Sequence, residues 1–429
     1  MSTRLPAHLA QTVRLPLTRR QALAGLGAGA MAAALAACAG AGEDSSGAVT
    51  LTYLSWQNEE TSRPLIDAFE QANPGIRIDF SYSPPVAEYF QTLQTRIAGG
   101  QQPDIHCINP ETRANLIGEE LVADLSAEPF AEALAEANRN AYSSGTGLYG
   151  ASFGAWAAGV VYNKSLLEQA GFSSVPQSWG DFLDMCKELK DKGITPYRES
   201  LAEIPGILAA FLGARYEKAG QSEGERQIFI GETTFAKEWT PAVTQWSRLY
   251  TEGIVGTEAV SLTADQVRDD FLAGNTAMFV TGPWNFARLT EAGLDWALAP
   301  VPALADGQPY VAGAADPGIA VASRLEGAKK EAALKFVSFL ASQEGLELQA
   351  RQFGAMINTA DYSVEVVPQY EGLYEDYVRQ SRYYLPMSYW DKAPDALQIE
   401  AQAQLQQLVQ GQVSPEQVGQ ALDRKLASL

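Results

Sequence analysis

The sequence predicts an α/β protein of two or three domains. Three observations carry this reading. Strand and helix patterns alternate from residue 49 onward, the alternation resumes after Gly150, and no repeat of about 20–50 residues organises the 429-residue chain. Residues 49–56 read as a strand. Thr61 or Ser62 is expected to cap the next helix, with Pro64 in its first turn and Leu65, Phe69 and Ala72 on one face. Asn73-Pro74-Gly75 stops that helix, and residues 76–80 alternate as a half-buried strand. A helix with Phe90, Leu93 and Ile97 on one stripe ends at Gly99-Gly100, and Pro103-Asp104-Ile105 opens a third strand. Later strands are expected at 160–162, 274–280, 296–301 and 319–322. Ser178 and Asp181 form a capping box before Phe182, Leu183 and Met185; helices fill 200–250 and recur at 332–340 and 396–408.

The N-terminus carries an address. Residues 22–37 are Ala, Gly, Leu and Met only, and are too short and weakly apolar for a spanning helix, which needs about 20 apolar residues. A basic pair, Arg19-Arg20, precedes the run, and Leu35-Ala36-Ala37-Cys38 closes it. This has the three parts of an export signal, with a lipobox at 35–38 and a twin-arginine-like start. Residues 1–37 are therefore expected to be removed. Cys38 becomes the lipidated first residue of a protein working outside the cytoplasm on the cell membrane, with 38–48 as a flexible linker.

The formal charge is −20, and residues 1–37 contribute only Arg, so the remainder is more acidic still. Such a surface repels nucleic acid and anionic lipid, which leaves membrane attachment to the tether. After Cys38 the only thiols are Cys107 and Cys186, each in an apolar run and read as buried and free. His106 is the single histidine after residue 37, so zinc sites built on several His and Cys are excluded and no metal or cofactor is expected. Eight Trp and seventeen Tyr exceed core needs and point to a ligand pocket. Trp239 and Trp246 share a helical face and read as core, Trp179 follows a helix cap, and Trp296 alternates in a strand.

Two motifs imitate chemistry. Residues 25–30 loosely match a dinucleotide fingerprint but lie in the signal and follow no strand. Gly150-Ala151-Ser152-Phe153-Gly154 matches a nucleophile elbow, yet a strand-like run follows it where a helix is required, and the only downstream-chain histidine, His106, precedes Ser152. Paired carboxylates would suit glycoside hydrolysis, but Glu59-Glu60 and Glu119-Glu120 read as solvated helix-end charges.

Residues 161–197 (VYNKSLLEQAGFSSVPQSWGDFLDMCKELKDKGITPY), 271–286 (FLAGNTAMFVTGPWNF), 335–349 and the tail around SPEQVGQAL resemble family-1 extracellular solute-binding proteins, the sugar-binding class that includes maltose-binding protein. The resemblance implies a type II periplasmic-binding-protein fold, with two discontinuous α/β lobes joined by hinge segments. Residues 49–154 with 314–357 would form one lobe, and 155–313 with 358–429 the other. It implies a monomeric binding component of an ATP-binding-cassette importer, with a carbohydrate in the cleft and a membrane permease, with its ATPase, as partner. A sugar presents an apolar face and a hydroxyl rim, so its site needs aromatic plates and planar polar groups at strand ends. The candidates are Trp56, Gln57, Asn58 and Glu59 after the first strand, and Asn109 after the third. Trp156 and Asp316 stand at the presumed crossovers, Trp284 and Asn285 in the Gly-Pro-Trp segment, and Tyr389, Trp390 and Asp391 ahead of the last helices. The alternatives are a tethered glycoside hydrolase, and the same fold holding a polyol or glycerol-phosphate-type ligand.

Overall fold

A computed structural model describes residues 48–84, 86–220, 224–305, 307–353, 356–359, 362 and 364–429. The lipidation and export residues Cys38, Arg19 and Arg20 lie outside them. Among the described residues no helix is long and apolar enough to cross a membrane. In order, the principal elements are β1 (Val49–Ser55), α1 (Glu59–Ala72), β2 (Ile76–Tyr82), α2 (Val86–Ala98), β3 (Ile105–Ile108), α3 (Pro110–Gly118) and α4 (Glu136–Ala141). Then come β4 (Ala155–Asn163), α5 (Trp179–Asp191), α6 (Gly206–Lys218), α7 (Phe235–Trp246), β5 (Met278–Thr281), β6 (Trp296–Ala299), β7 (Ala312–Ala315) and β8 (Gly318–Val321). The last are α8 (Gly327–Leu340), α9 (Gln343–Phe353), α10 (Pro394–Val409) and α11 (Pro415–Ser428).

Two sheets result. The first has order β8-β3-β1-β2, with β1 parallel to β2 and β3, and β8 antiparallel to β3. The second is built on β4, which pairs antiparallel with β5, β6 and, along its first residues, β7. Gly159 permits the close approach of β6, because a Cβ there would stand 2.4 Å from the Ala299 carbonyl oxygen.

Each sheet has its own core. Leu51, Leu54, Phe69, Ile105, Val321 and Phe336 pack around the first, drawing on residues 51–153 and 315–357. Phe69 meets Phe336 edge to face at 5.0 Å. The second sheet is covered on one side by Trp179, Phe211, Trp239 and Trp246, and on the other by Phe271, Phe286, Trp296 and Tyr370. Trp239 and Trp246 are fully buried, as their helical spacing predicts, and Trp179, just after its helix cap, is nearly so. Cys107 and Cys186 are free thiols in different cores. Burial pushes the Cys107 thiol up to about 11.

Two local expectations change. The cap of α1 is Asn58, whose Oδ1 accepts the Thr61 N–H at 2.9 Å; Ser62 instead lies on the buried face. The strand expected at 274–280 begins only at Met278, because Gly274 is still in the turn after a helix, at φ +73°.

Candidate functional site

A cavity of about 520 Å³ opens where the carboxyl end of β1 faces the start of β4 and the turn after β5. Ser55, Trp56, Gln57, Cys107, Asp316 and Pro317 line one side, and Trp156, Pro283, Trp284 and Phe286 the other. The site thus lies beyond strand ends, where loops rather than helix faces present side chains.

Three indoles shape it. Trp56 is half-buried and is held from behind by Tyr89, edge to face at 5.1 Å, and by Phe90 at 5.9 Å. Trp156 and Trp284 meet edge to face at 5.3 Å, and Trp284 is 59% exposed. Such an exposed indole, fixed at one edge, is a ready plate for an apolar ring face. Its position depends on Gly282, where a Cβ would fall 2.5 Å from the Trp284 ring. Of the polar wall groups, Gln349 has spent its amide on the carbonyls of Leu340 and Gly345 at 2.8 and 3.1 Å. Gln57, Asp316 and the exposed Glu365 are further polar side chains of the wall, with the buried Ser55 hydroxyl and Tyr53 behind them.

Of the residues expected at a ligand, Trp56, Gln57, Trp156, Trp284 and Asp316 stand together in this wall. The others have different surroundings. Asn58 caps α1, and Glu59 pairs with Arg63 at 2.6 Å in its first turn. Asn109 caps α3 in a reciprocal box with Thr112. Asn285 is buried, donating to Thr281 Oγ1 at 2.9 Å. Tyr389 stacks on Tyr384 at 4.8 Å and 8°. Trp390 is fully buried and donates its indole N–H to Glu225 at 2.8 Å, which makes it part of the core. Asp391 is ion-paired with Arg113 at 2.9 Å. Ser152, the serine of the elbow-like motif, is fully buried and donates to the Gly154 carbonyl at 3.1 Å. Among the described residues no group of three or more His, Cys, Asp and Glu could hold a metal ion.

The profile of the family described as bacterial extracellular solute-binding protein matches residues 55–347. The chain belongs to this family. A family 1 extracellular solute-binding protein from Bifidobacterium longum subsp. infantis superposes with a TM-score of 0.80, at 32% identity over 89% of this chain and 100% of that one. A multiple sugar-binding protein of Streptococcus mutans serotype c is 26% identical over 164 residues, 37% of either chain. A maltotriose-binding protein of Pyrococcus abyssi is 24% identical over 275 residues. The chain spans 37% and 56% of the lengths of those two relatives.

This solute-binding protein has a second cavity of about 330 Å³, which shares Trp284 with the first and is lined by Glu199, Glu203, Thr281 and Asn285. Glu199 accepts from Trp246 at 3.0 Å, Tyr250 at 2.7 Å and Tyr197 at 3.3 Å. Burial pushes its carboxyl up to about 7, against the pull of those donors. Sequence reading missed it, since its donors Trp246 and Tyr250 lie 47 and 51 residues away. Glu225 is its counterpart deeper in the core, held by Trp239 and Trp390 and likewise raised by burial to about 7.

Proposed function

We propose that this protein is the substrate-binding component of an ATP-binding-cassette importer and captures a sugar or small oligosaccharide between its lobes. The observation that carries the reading is the cavity walled by Trp56, Trp156 and Trp284, with Gln57 and Asp316 beside them. Indole faces suit the C–H face of a pyranose, and planar amide and carboxylate groups suit its hydroxyl rim. The sugar ligands in the names of the Streptococcus mutans and Pyrococcus abyssi relatives support the same class. Residues 49–154 with 314–357 form one closing lobe and 155–313 with 358–429 the other, since each set supplies a separate core. Ligand contacts from both sides favour the closed arrangement, which then docks on a membrane permease.

The residues that place the protein are Cys38, as a lipid anchor on the outer face of the cell membrane, and Arg19-Arg20, as the export signal. Calorimetry against a panel of mono- and oligosaccharides tests the binding reading: saturable heat with at least one is expected, and a flat response across the panel overturns it. Product analysis after incubation with the best ligand is expected to return it intact, and net cleavage would favour a glycoside hydrolase.

A further inference from the structure

Asp391 was expected at the ligand, yet its carboxylate faces arginines. Arg113, on α3, is 2% exposed at its side chain. Its guanidinium donates to the Pro110 carbonyl at 3.3 Å, to the Ser388 carbonyl, and to Asp391 Oδ1 at 2.9 Å. Two further ties lie beside it. Arg226 donates to the Asn140 carbonyl at 2.7 Å, with its Nε 3.8 Å from Asp391 Oδ2, and Asn115 donates to Asp395 at 3.3 Å. Arg113–Asp391, Arg113–Ser388, Arg226–Asn140 and Asn115–Asp395 each join residues 49–154 to residues 155–313 or 358–429, whereas Arg226 and Asp391 belong to the same lobe.

We infer that Arg113 and Asp391 form a cross-lobe tie that positions the lobes in the closed arrangement and thereby sets ligand affinity. This rests on the hinge-closure reading above. The physical reason is asymmetry. A guanidinium buried on one lobe keeps its charge partner only while the other lobe is apposed, and an unpaired buried charge is costly. Opening must therefore hydrate Arg113 and release Asp391. Because affinity scales with the fraction of molecules in the competent arrangement, the tie acts on binding without touching the ligand.

The test needs no ligand. Cysteines introduced by Gln101→Cys and Glu232→Cys, both at exposed positions, carry spin labels on the two lobes; the native Cys107 and Cys186 are buried, and Cys38→Ser removes the third native thiol. Pulsed dipolar spectroscopy then reads the distance distribution of the whole protein. Asp391→Asn is expected to lower the closed-to-open ratio about tenfold, between the effect of an exposed pair and that of a buried one. Arg113→Lys, which keeps the charge but loses the fork, should shift the distribution the same way by less. The affinity for whichever sugar binds should fall by the same factor as the closed fraction read from the distance distribution. An unchanged distribution in both variants overturns the tie, and so does a loss of affinity in Asp391→Asn with no shift in distance, since Asp391 would then act on the ligand directly. Failure of every sugar to bind leaves the distance measurement standing and counts only against the sugar reading.

Discussion

Trp284→Ala is the most direct probe of the cavity. The side chain is 59% exposed and meets Trp156 at only one edge. An indole side chain offers roughly 250 Å² at most, so about 150 Å² remains open. A pyranose lying on one face covers roughly half of that. At ~25 cal/mol per Å², the loss is about 2 kcal/mol, or ~30-fold in Kd. Stability should fall by up to about 2.5 kcal/mol, because roughly 100 Å² of the ring is covered in the fold, against Trp156 among others. The assay is titration calorimetry with the best saccharide, paired with a thermal melt. A Kd within twofold of the parent, with the fold intact, would remove Trp284 from the site and with it the plate on which the sugar reading depends.

Gly282→Ala places a methyl group against the Trp284 ring and should displace the indole rather than unfold the chain, since that ring is its only close neighbour within 3.1 Å; a weakened Kd and a shifted tryptophan emission are expected at nearly unchanged melting temperature. Glu199 and Glu225 sit at about 7 when folded, against an ordinary 4.5, so the folded state holds protons that the unfolded chain releases. Their contribution is full below about pH 4.5 and is lost as pH rises through 7, at ~1.4 kcal/mol per unit and about 3 kcal/mol for each group. Melts should therefore fall between pH 5 and pH 8, and the Glu199→Gln, Glu225→Gln double variant should be flatter; a parent that melts higher at pH 8 than at pH 5 contradicts this. His106 has the opposite sign: burial lowers it from 6.5 to about 4, so its contribution is full above 6.5 and lost as pH falls through 4. His106→Gln should thus reduce the loss of stability below pH 5, as read by the same melts. Finally, replacing Arg19 and Arg20 with Lys should abolish export, assayed by fractionation; normal export would point to the general secretory route.

The alternation of strand and helix was legible because each element buries one periodic face. Leu65 and Phe69 on α1, and Ile76 and Ile78 on β2, are buried at the spacing their sequence implies. What stayed hidden depends on partners remote in sequence. Nothing near Tyr389-Trp390-Asp391 indicates that the indole will find Glu225 165 residues earlier, or that the carboxylate will find Arg113 278 residues earlier. An aromatic flanked by a tyrosine and an acid reads as pocket material until its hydrogen-bond acceptor is known.

The strand ends show why the candidates divided as they did. A residue just past a parallel strand can turn towards the cleft or cap the helix that follows, and a short polar side chain can do either. Asn58 and Asn109 each stand three residues before a threonine, Thr61 and Thr112, and each takes the cap, accepting that residue's N–H at 2.9 and 3.0 Å. The spacing that decides this was present in the sequence, and weighing it would have assigned both to the helices. An indole cannot accept a backbone N–H in this way, so it has no competing role at a helix start. Trp56 and Trp284 flank their turns without capping anything, and Trp156 lies at the start of β4, paired with β7; all three are left to the cavity wall. Aromatic residues at strand ends are therefore the stronger signal of a binding surface in this fold, and polar ones count only when no helix start lies within three residues to claim them.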